Sequence, residues 1–253
     1  MSNAMPPLLE ARNISKAFGR FVAVAGVDLV IRKGERRALI GPNGAGKSTL
    51  LSILGGQQAG GAGGQVRFDG DDVSGLQPED LARRGVGRTF QISRTFRKMT
   101  VAENMLASLL PRAGLIYSLS TQRLNILREQ ADAILTEVGL ARRSGTIVDE
   151  ISHGDRKRLE FGMVLATRPR LLLLDEPAAG MGLQERQELM AMMLDQVTRN
   201  GITLIFVEHD IDIVFRIADV ITVMARGRVF AEGNPQEIAS NKDVQDIYLG
   251  SGH

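Results

Sequence analysis

Gly41-Pro42-Asn43-Gly44-Ala45-Gly46-Lys47-Ser48 decides how the rest of this chain is read. The octapeptide has the spacing G-x-x-x-x-G-K-[ST], with an apolar-leaning run at residues 37–40 before it and Thr49-Leu50-Leu51-Ser52-Ile53-Leu54 after it. That is the strand, loop and helix setting the motif requires. Glycines permit the tight bend that turns consecutive amide N–H groups toward one anion. The N-terminus of the following helix brings the positive end of its dipole to the same point. The pattern predicts a phosphate site made by Gly41, Pro42, Asn43, Gly44, Ala45, Gly46, Lys47, Ser48 and Thr49. Lys47 is placed on the β- and γ-phosphates of a nucleotide, and the Ser48 hydroxyl on Mg²⁺. The competing reading is a Gly-rich turn with an incidental lysine, and the flanking strand and helix weigh against it.

Composition narrows the remaining classes. At 253 residues, 43% hydrophobic and 24% charged, the chain is long enough for a substantial core and has an ordinary globular balance. A net charge of +2, with basic residues scattered and their few clusters short (Arg83-Arg84, Arg142-Arg143, Arg156-Lys157-Arg158), gives no case for nucleic acid. The absence of cysteine excludes disulfides and Cys-type zinc sites, and three histidines far apart argue against a His-based metal site. No stretch approaches the roughly 18–20 apolar residues of a membrane span. The longest candidate, residues 21–31, is broken by Asp28. No basic n-region followed by an apolar h-region opens the chain. The expectation is a cytoplasmic protein that meets the membrane only through a partner. Met1-Ser2-Asn3-Ala4, ahead of Met5, reads as a cloning scar outside the fold.

The first third reads as strands, at residues 8–14 and 22–31, with Gly19 and Gly34 as punctuation and a short strand into a turn at residues 65–70. The Gly-rich residues 55–64 read as a flexible loop. Residues 100–148 read as mainly helical, with Leu124, Leu127, Ala131, Ile134, Leu135 and Val138 forming one apolar face that Gly139 ends. From Arg170 the order becomes strand, helix, strand, helix, strand. Residues 171–174 and 202–207 are short, almost wholly apolar runs suited to parallel strands covered on both faces, and residues 183–197 make the crossover helix between them.

Leu171-Leu172-Leu173-Leu174-Asp175-Glu176 supplies the second chemical signal. A buried strand that ends in paired carboxylates sets charge at the carboxyl edge of a sheet, where open α/β folds bind ligands. Asp175 is the expected Mg²⁺ partner of the phosphate loop, and Glu176 the general base that polarises an attacking water. Alone, the pair would equally mark a strand end before Pro177; beside a phosphate loop it reads as chemistry.

With both motifs in place, the chain resembles the ATP-binding subunit of an ABC transporter over residues 8–250. The resemblance implies an α/β fold: a mainly parallel P-loop ATPase core with an N-terminal antiparallel β subdomain and an inserted helical subdomain. One domain would span residues 5–253, with core and β subdomain at 5–91 and 170–253 and the helical insertion at 92–169. It also implies roles for further residues. In Arg88-Thr89-Phe90-Gln91, Gln91 would touch Mg²⁺ and the attacking water; in Val207-Glu208-His209-Asp210, His209 would contact the γ-phosphate. Phe18, in Lys16-Ala17-Phe18-Gly19, resembles the aromatic that stacks on adenine.

The family signature, LSGGQ, corresponds to Ile151-Ser152-His153-Gly154-Asp155. Ser152 and Gly154, the phosphate-facing positions, are intact, whereas Asp155 replaces the glutamine and brings negative charge toward a polyphosphate. Ser152-x-x-Asp155 is also a capping box ahead of a helix, and the two readings are compatible. Gly182 stands where the family has an aspartate after the second carboxylate motif.

Further details resemble the group that takes up branched-chain amino acids, and its relatives for urea or short amides. They are residues 88–91 and 96–104, Leu159-Glu160-Phe161-Gly162, Asp175-Glu176-Pro177-Ala178-Ala179-Gly180-Met181 and the tail at residues 244–250. The resemblance implies two ATP and Mg²⁺ sandwiched between paired ATPase subunits, as a homodimer or with a sister subunit. Two integral membrane permease subunits would dock near residues 93–99, and a solute-binding protein would act indirectly, with no nucleic acid partner. The alternative is a soluble ABC ATPase acting as an assembly or scaffold factor, for example in iron–sulfur cluster delivery. A nucleic-acid-associated ABC ATPase would want a coiled-coil insertion or tandem domains, which this length does not show.

Overall fold

A computed structural model describes residues 6–89, 95–110 and 120–249. The chain opens with a hairpin of β1 (Leu9–Phe18) and β2 (Phe21–Ile31), then β3 (Arg36–Ile40) and helix α1 (Lys47–Leu54). β4 (Gln65–Phe68), β5 (Asp71–Asp72), α2 (Pro78–Arg84) and β6 (Val86–Arg88) follow. Three helices come next: α3 (Val101–Leu109), α4 (Thr121–Glu137) and α5 (His153–Ala166). The last third is β7 (Leu171–Asp175), α6 (Leu183–Arg199), β8 (Thr203–Val207), α7 (Ile211–Ile217), β9 (Val220–Ala225), β10 (Arg228–Gly233), α8 (Pro235–Ser240) and α9 (Lys242–Leu249).

Two sheets result. An antiparallel one runs β2-β1-β4-β5, and a six-stranded one runs β10-β9-β3-β8-β7-β6 with only the β9–β10 pair antiparallel. The mainly parallel core with an antiparallel β layer and a helical block between β6 and β7 is therefore the architecture present. The apolar run of β7 shows why it had to be buried on both faces. Leu172 and Leu174 pack with Leu204 and Phe206 against the helices, whereas Leu171 and Leu173 pack with Ile205 and Val207 toward α1 and the antiparallel sheet. Strand alternation splits one polyleucine run between two cores.

The helical block behaves similarly. On α4, Leu127, Ala131 and Leu135 are buried, with Val138 at its C-cap, and Gly139 turns the chain at φ +77°. Leu124 and Ile134 are only partly buried, so the apolar face is narrower than the spacing predicts. α5 approaches α3 so closely that a β-carbon on Gly162 would lie 2.8 Å from Met105 Cε. The glycine segment 55–64 differs from the flexible loop expected. It runs against β1, with Ser15 N–H donating to Gly60 O at 3.0 Å, and a β-carbon on Gly61 would lie 2.4 Å from Ser15 O. These glycines answer a close approach of two backbones rather than a need for slack.

Parallel register sets the functional edge. Leu39 faces Val207 across β3 and β8, and Asp175 faces Val207 across β7 and β8. The chain therefore leaves three neighbouring strands at one level, delivering residues 41–48, Glu176 and His209 to a single edge.

Candidate active site

The loop after β3 is clamped between two stretches of backbone. A β-carbon on Gly41 would lie 2.1 Å from Met224 O, and one on Gly46 would lie 2.2 Å from Ala23 O. Both have positive φ, +142° and +101°, so glycine is required on steric and conformational grounds together. Gly46 is the N-cap of α1 and offers no side chain there, which leaves the first amides of α1 free to meet an anion. Lys47 is 6% exposed and its Nζ donates to Gly41 O at 2.7 Å and Pro42 O at 3.0 Å. The ammonium is thus pinned across its own loop. Burial lowers its pKa, while the charges of Glu176 and Asp175 oppose that shift. Ala45 is buried; Pro42 and Thr49 are partly buried, and Asn43 and Gly44 lie open to solvent.

Ser48 Oγ donates to Asp175 Oδ1 at 2.9 Å, joining two of the three expected Mg²⁺ ligands across 127 residues of sequence. Asp175 is 5% exposed, and burial raises its carboxyl above the ordinary range against the Ser48 hydroxyl and the charges of Arg88 and Lys47. One hydroxyl beside one carboxylate suits a hard cation that keeps water and phosphate oxygens as its other ligands. Among the described residues no cluster of three or more His, Cys, Asp or Glu forms an all-protein cage.

His209 Nε2 lies 2.8 Å from Glu176 Oε1, so the expected base and the expected γ-phosphate contact meet directly. Glu176 has φ +47°, a left-handed conformation costly for a residue other than glycine, and its N–H donates to Val207 O at 3.1 Å. Strain of that kind is held by its surroundings and is concentrated at functional sites.

Other expected residues lie apart. Ser152 caps α5, its Oγ accepting from Asp155 N–H at 3.0 Å, and Gly154 is buried in the first turn. Among the described residues no hydrogen bond or ion pair joins them to Lys47, Ser48, Asp175, Glu176 or His209. Arg156, Lys157 and Arg158 turn to other partners, Val148 O, Glu160 and Glu188, rather than to Asp155. Phe18 ends β1 half exposed, with Lys16 Nζ 5.6 Å from its ring centroid. Gln91 lies outside the described residues. Sequence reasoning missed Arg88 as a neighbour of the site. Its guanidinium donates to Leu51 O at 3.0 Å and Ser52 Oγ at 3.1 Å and reaches Asp175 Oδ2 at 3.4 Å. No spacing in the chain signals that contact.

A glycine-clamped loop, a pinned lysine and a serine–aspartate pair at the carboxyl edge of a parallel sheet define a P-loop nucleotide triphosphatase. Residues 24–179 match the family model of the ABC transporter, and residues 228–253 match that of the Branched-chain amino acid ATP-binding cassette transporter. The chain belongs to the ABC transporter family and is its ATP-binding, ATP-hydrolysing component. It is 37% identical over 251 residues to the high-affinity branched-chain amino acid transport ATP-binding protein BraF of Pseudomonas aeruginosa, covering 96% of this chain and 98% of that one. A crystal structure of an ABC transporter's ATP-binding cassette in its ADP conformation superposes with a TM-score of 0.82, at 31% identity over 96% of this chain and 99% of that one. A dimeric post-hydrolysis cassette bound to ADP and Pi superposes with a TM-score of 0.76, at 25% identity over 90% of this chain and 98% of that one.

Proposed function

We propose that this chain energises an uptake transporter for branched-chain amino acids. It works as one of two ATPase subunits docked on two membrane permeases at the inner face of the cell membrane. The carrying observation is the similarity to BraF, which runs the length of both chains. The match of residues 228–253 to the branched-chain family model adds weight at the end of the chain where the tail resembled that group. No helix among the described residues is long and apolar enough to cross a membrane.

The site residues then take these roles. Amides of residues 41–48 and the Lys47 ammonium hold the β- and γ-phosphates of ATP, and Thr49 follows at the helix start. Phe18 stacks on adenine. Ser48, Asp175 and Gln91 hold Mg²⁺, which when bound neutralises phosphate charge. Glu176 takes a proton from water as the water oxygen attacks the γ-phosphorus and the bond to the β–γ bridging oxygen breaks. His209 contacts the γ-phosphate from beside Glu176, its Nε2 lying 2.8 Å from Glu176 Oε1. Ser152 and Gly154 complete the site of the opposing subunit, in keeping with the dimeric cassette described above. Asn104, fully buried, grips the Phe96 backbone with bonds of 2.7 and 3.0 Å, and so presents the exposed Phe96 ring on the permease-docking surface.

Purification of the tagged protein from its native membranes tests this reading. Two multi-span proteins should co-purify, and ATPase activity of that complex should rise with a leucine-loaded binding protein. Recovery with soluble partners alone would favour an assembly-factor role instead.

A further inference from the structure

The Glu176–His209 contact joins two loops separated by 33 residues of sequence, and the side chain set between those loops is Glu208. Glu208 is 6% exposed. Its Oε2 accepts the His209 N–H at 3.3 Å, and the Ala178 amide, two residues beyond Glu176, acts electrostatically on the same carboxylate. One carboxylate therefore interacts with both loops. Its other oxygen, Oε1, is buried without a hydrogen-bond partner.

Arg186, on α6, is the cation whose charge reaches Glu208. It donates to Met181 O at 3.3 Å and pairs with Asp210 at 3.6 Å, and its Nε is likewise buried and unpartnered. A buried polar atom left without a partner loses its hydration without recovering it in a hydrogen bond. A fold that keeps an unpaired acceptor and an unpaired donor in one charge cluster asks for an explanation beyond stability.

We infer that Glu208 is a positioning residue for ATP hydrolysis. Its carboxylate braces the loop carrying Glu176 against the loop carrying His209, and Arg186 is the counter-ion that ties this brace to the segment around Met181. The inference rests on the roles given above to Glu176 and His209. The charges acting on Glu208 are those of Arg186 and Glu176, with titratable His209 next to it in the chain and Asp210 paired to Arg186. Burial pushes its carboxyl upward, and the surrounding N–H groups and Arg186 oppose that. No hydrogen bond or ion pair of Glu208 or Arg186 among the described residues reaches residues 41–48. The brace therefore acts on the hydrolytic step and not on the grip for phosphate.

The test is steady-state ATPase on the full-length chain, with Mg·ATP binding and thermal melting measured on the same samples. The variants are Glu208→Ala, Glu208→Gln, Arg186→Met, the Glu208→Ala/Arg186→Met double and Glu176→Gln. Glu208→Ala should lower kcat about tenfold or more while KM stays within about twofold, the signature of a lost positioning contact. Glu208→Gln, which keeps an acceptor for the two amides, should restore part of that loss. The double variant should lose less than the product of the single losses, because both remove one brace. Turnover by Glu208→Ala within twofold of wild type, alongside an inactive Glu176→Gln, would overturn the inference. So would a loss of kcat fully accounted for by unfolded protein. A Glu176→Gln variant as active as wild type would instead remove the catalytic reading beneath it.

Discussion

Glu185 lies over Gly154: a β-carbon added to Gly154 would sit 2.0 Å from Glu185 Oε1. Asp155 occupies the same first turn of α5, so two carboxylates gather where the helix dipole is positive. In the proposed dimer this is where the other subunit's γ-phosphate arrives. Neutralising either side chain, by Glu185→Gln or Asp155→Gln, should tighten ATP-dependent pairing about two- to fivefold, the range expected of exposed charge pairs. Sedimentation of these variants with Mg·ATP, in a Glu176→Gln background that retains nucleotide, checks this. An unchanged dimer constant in both would contradict it.

The phosphate loop should tolerate substitution according to space. Gly46→Ala drives a β-carbon to within 2.2 Å of Ala23 O at φ +101°, and should weaken Mg·ATP binding by more than about tenfold. Gly44→Ala meets nothing within 4 Å at φ +78°, and should carry only the conformational cost of about 1–2 kcal/mol in stability. Calorimetric titration and thermal melts of the pair separate the two effects.

Asp175 links stability to pH. Burial raises its folded pKa above the unfolded value, so the folded state holds the proton more tightly. The stability this provides is complete below the unfolded pKa and is lost as pH rises through the folded one. At neutral pH the ionised carboxylate is therefore a cost in the isolated chain. Asp175→Asn should melt higher than wild type at pH 7, lose that advantage below about pH 4, and bind Mg·ATP more weakly. A lower melting temperature at pH 7 would contradict the assignment.

Arg37 is 3% exposed on β3. It pairs with buried Glu35 at 2.6 Å, with Glu232, and with Thr222 Oγ1 at 3.2 Å. Breaking such a buried set from one side leaves uncompensated charge. Arg37→Met should thus destabilise the fold by about 3–5 kcal/mol in denaturant titration. Arg12, exposed and paired with Glu10, serves as the control expected to change little on substitution by Met.

Local signals in the sequence were enough to read the sheet core. Residues 171–174 and 202–207 are too apolar and too short for anything but covered strands, and the loop at 41–48 carries its own geometry. Contacts between distant segments had no such trace. Arg88 and Asp175 are 87 residues apart, and Glu185 meets Gly154 only because α5 and α6 pack together. The glycines at 55–64 carry no mark that separates a slack loop from one pressed against β1. Sequence read alone marks the residues expected at a phosphate more readily than the residues that hold them in place.

Phosphate release by wild type and Glu176→Gln, with Mg·ATP binding measured on the same samples, tests the central claim most directly. Both proteins should bind Mg·ATP, and the variant should release phosphate at least about a hundredfold more slowly. Equal rates of release from the two proteins would contradict it.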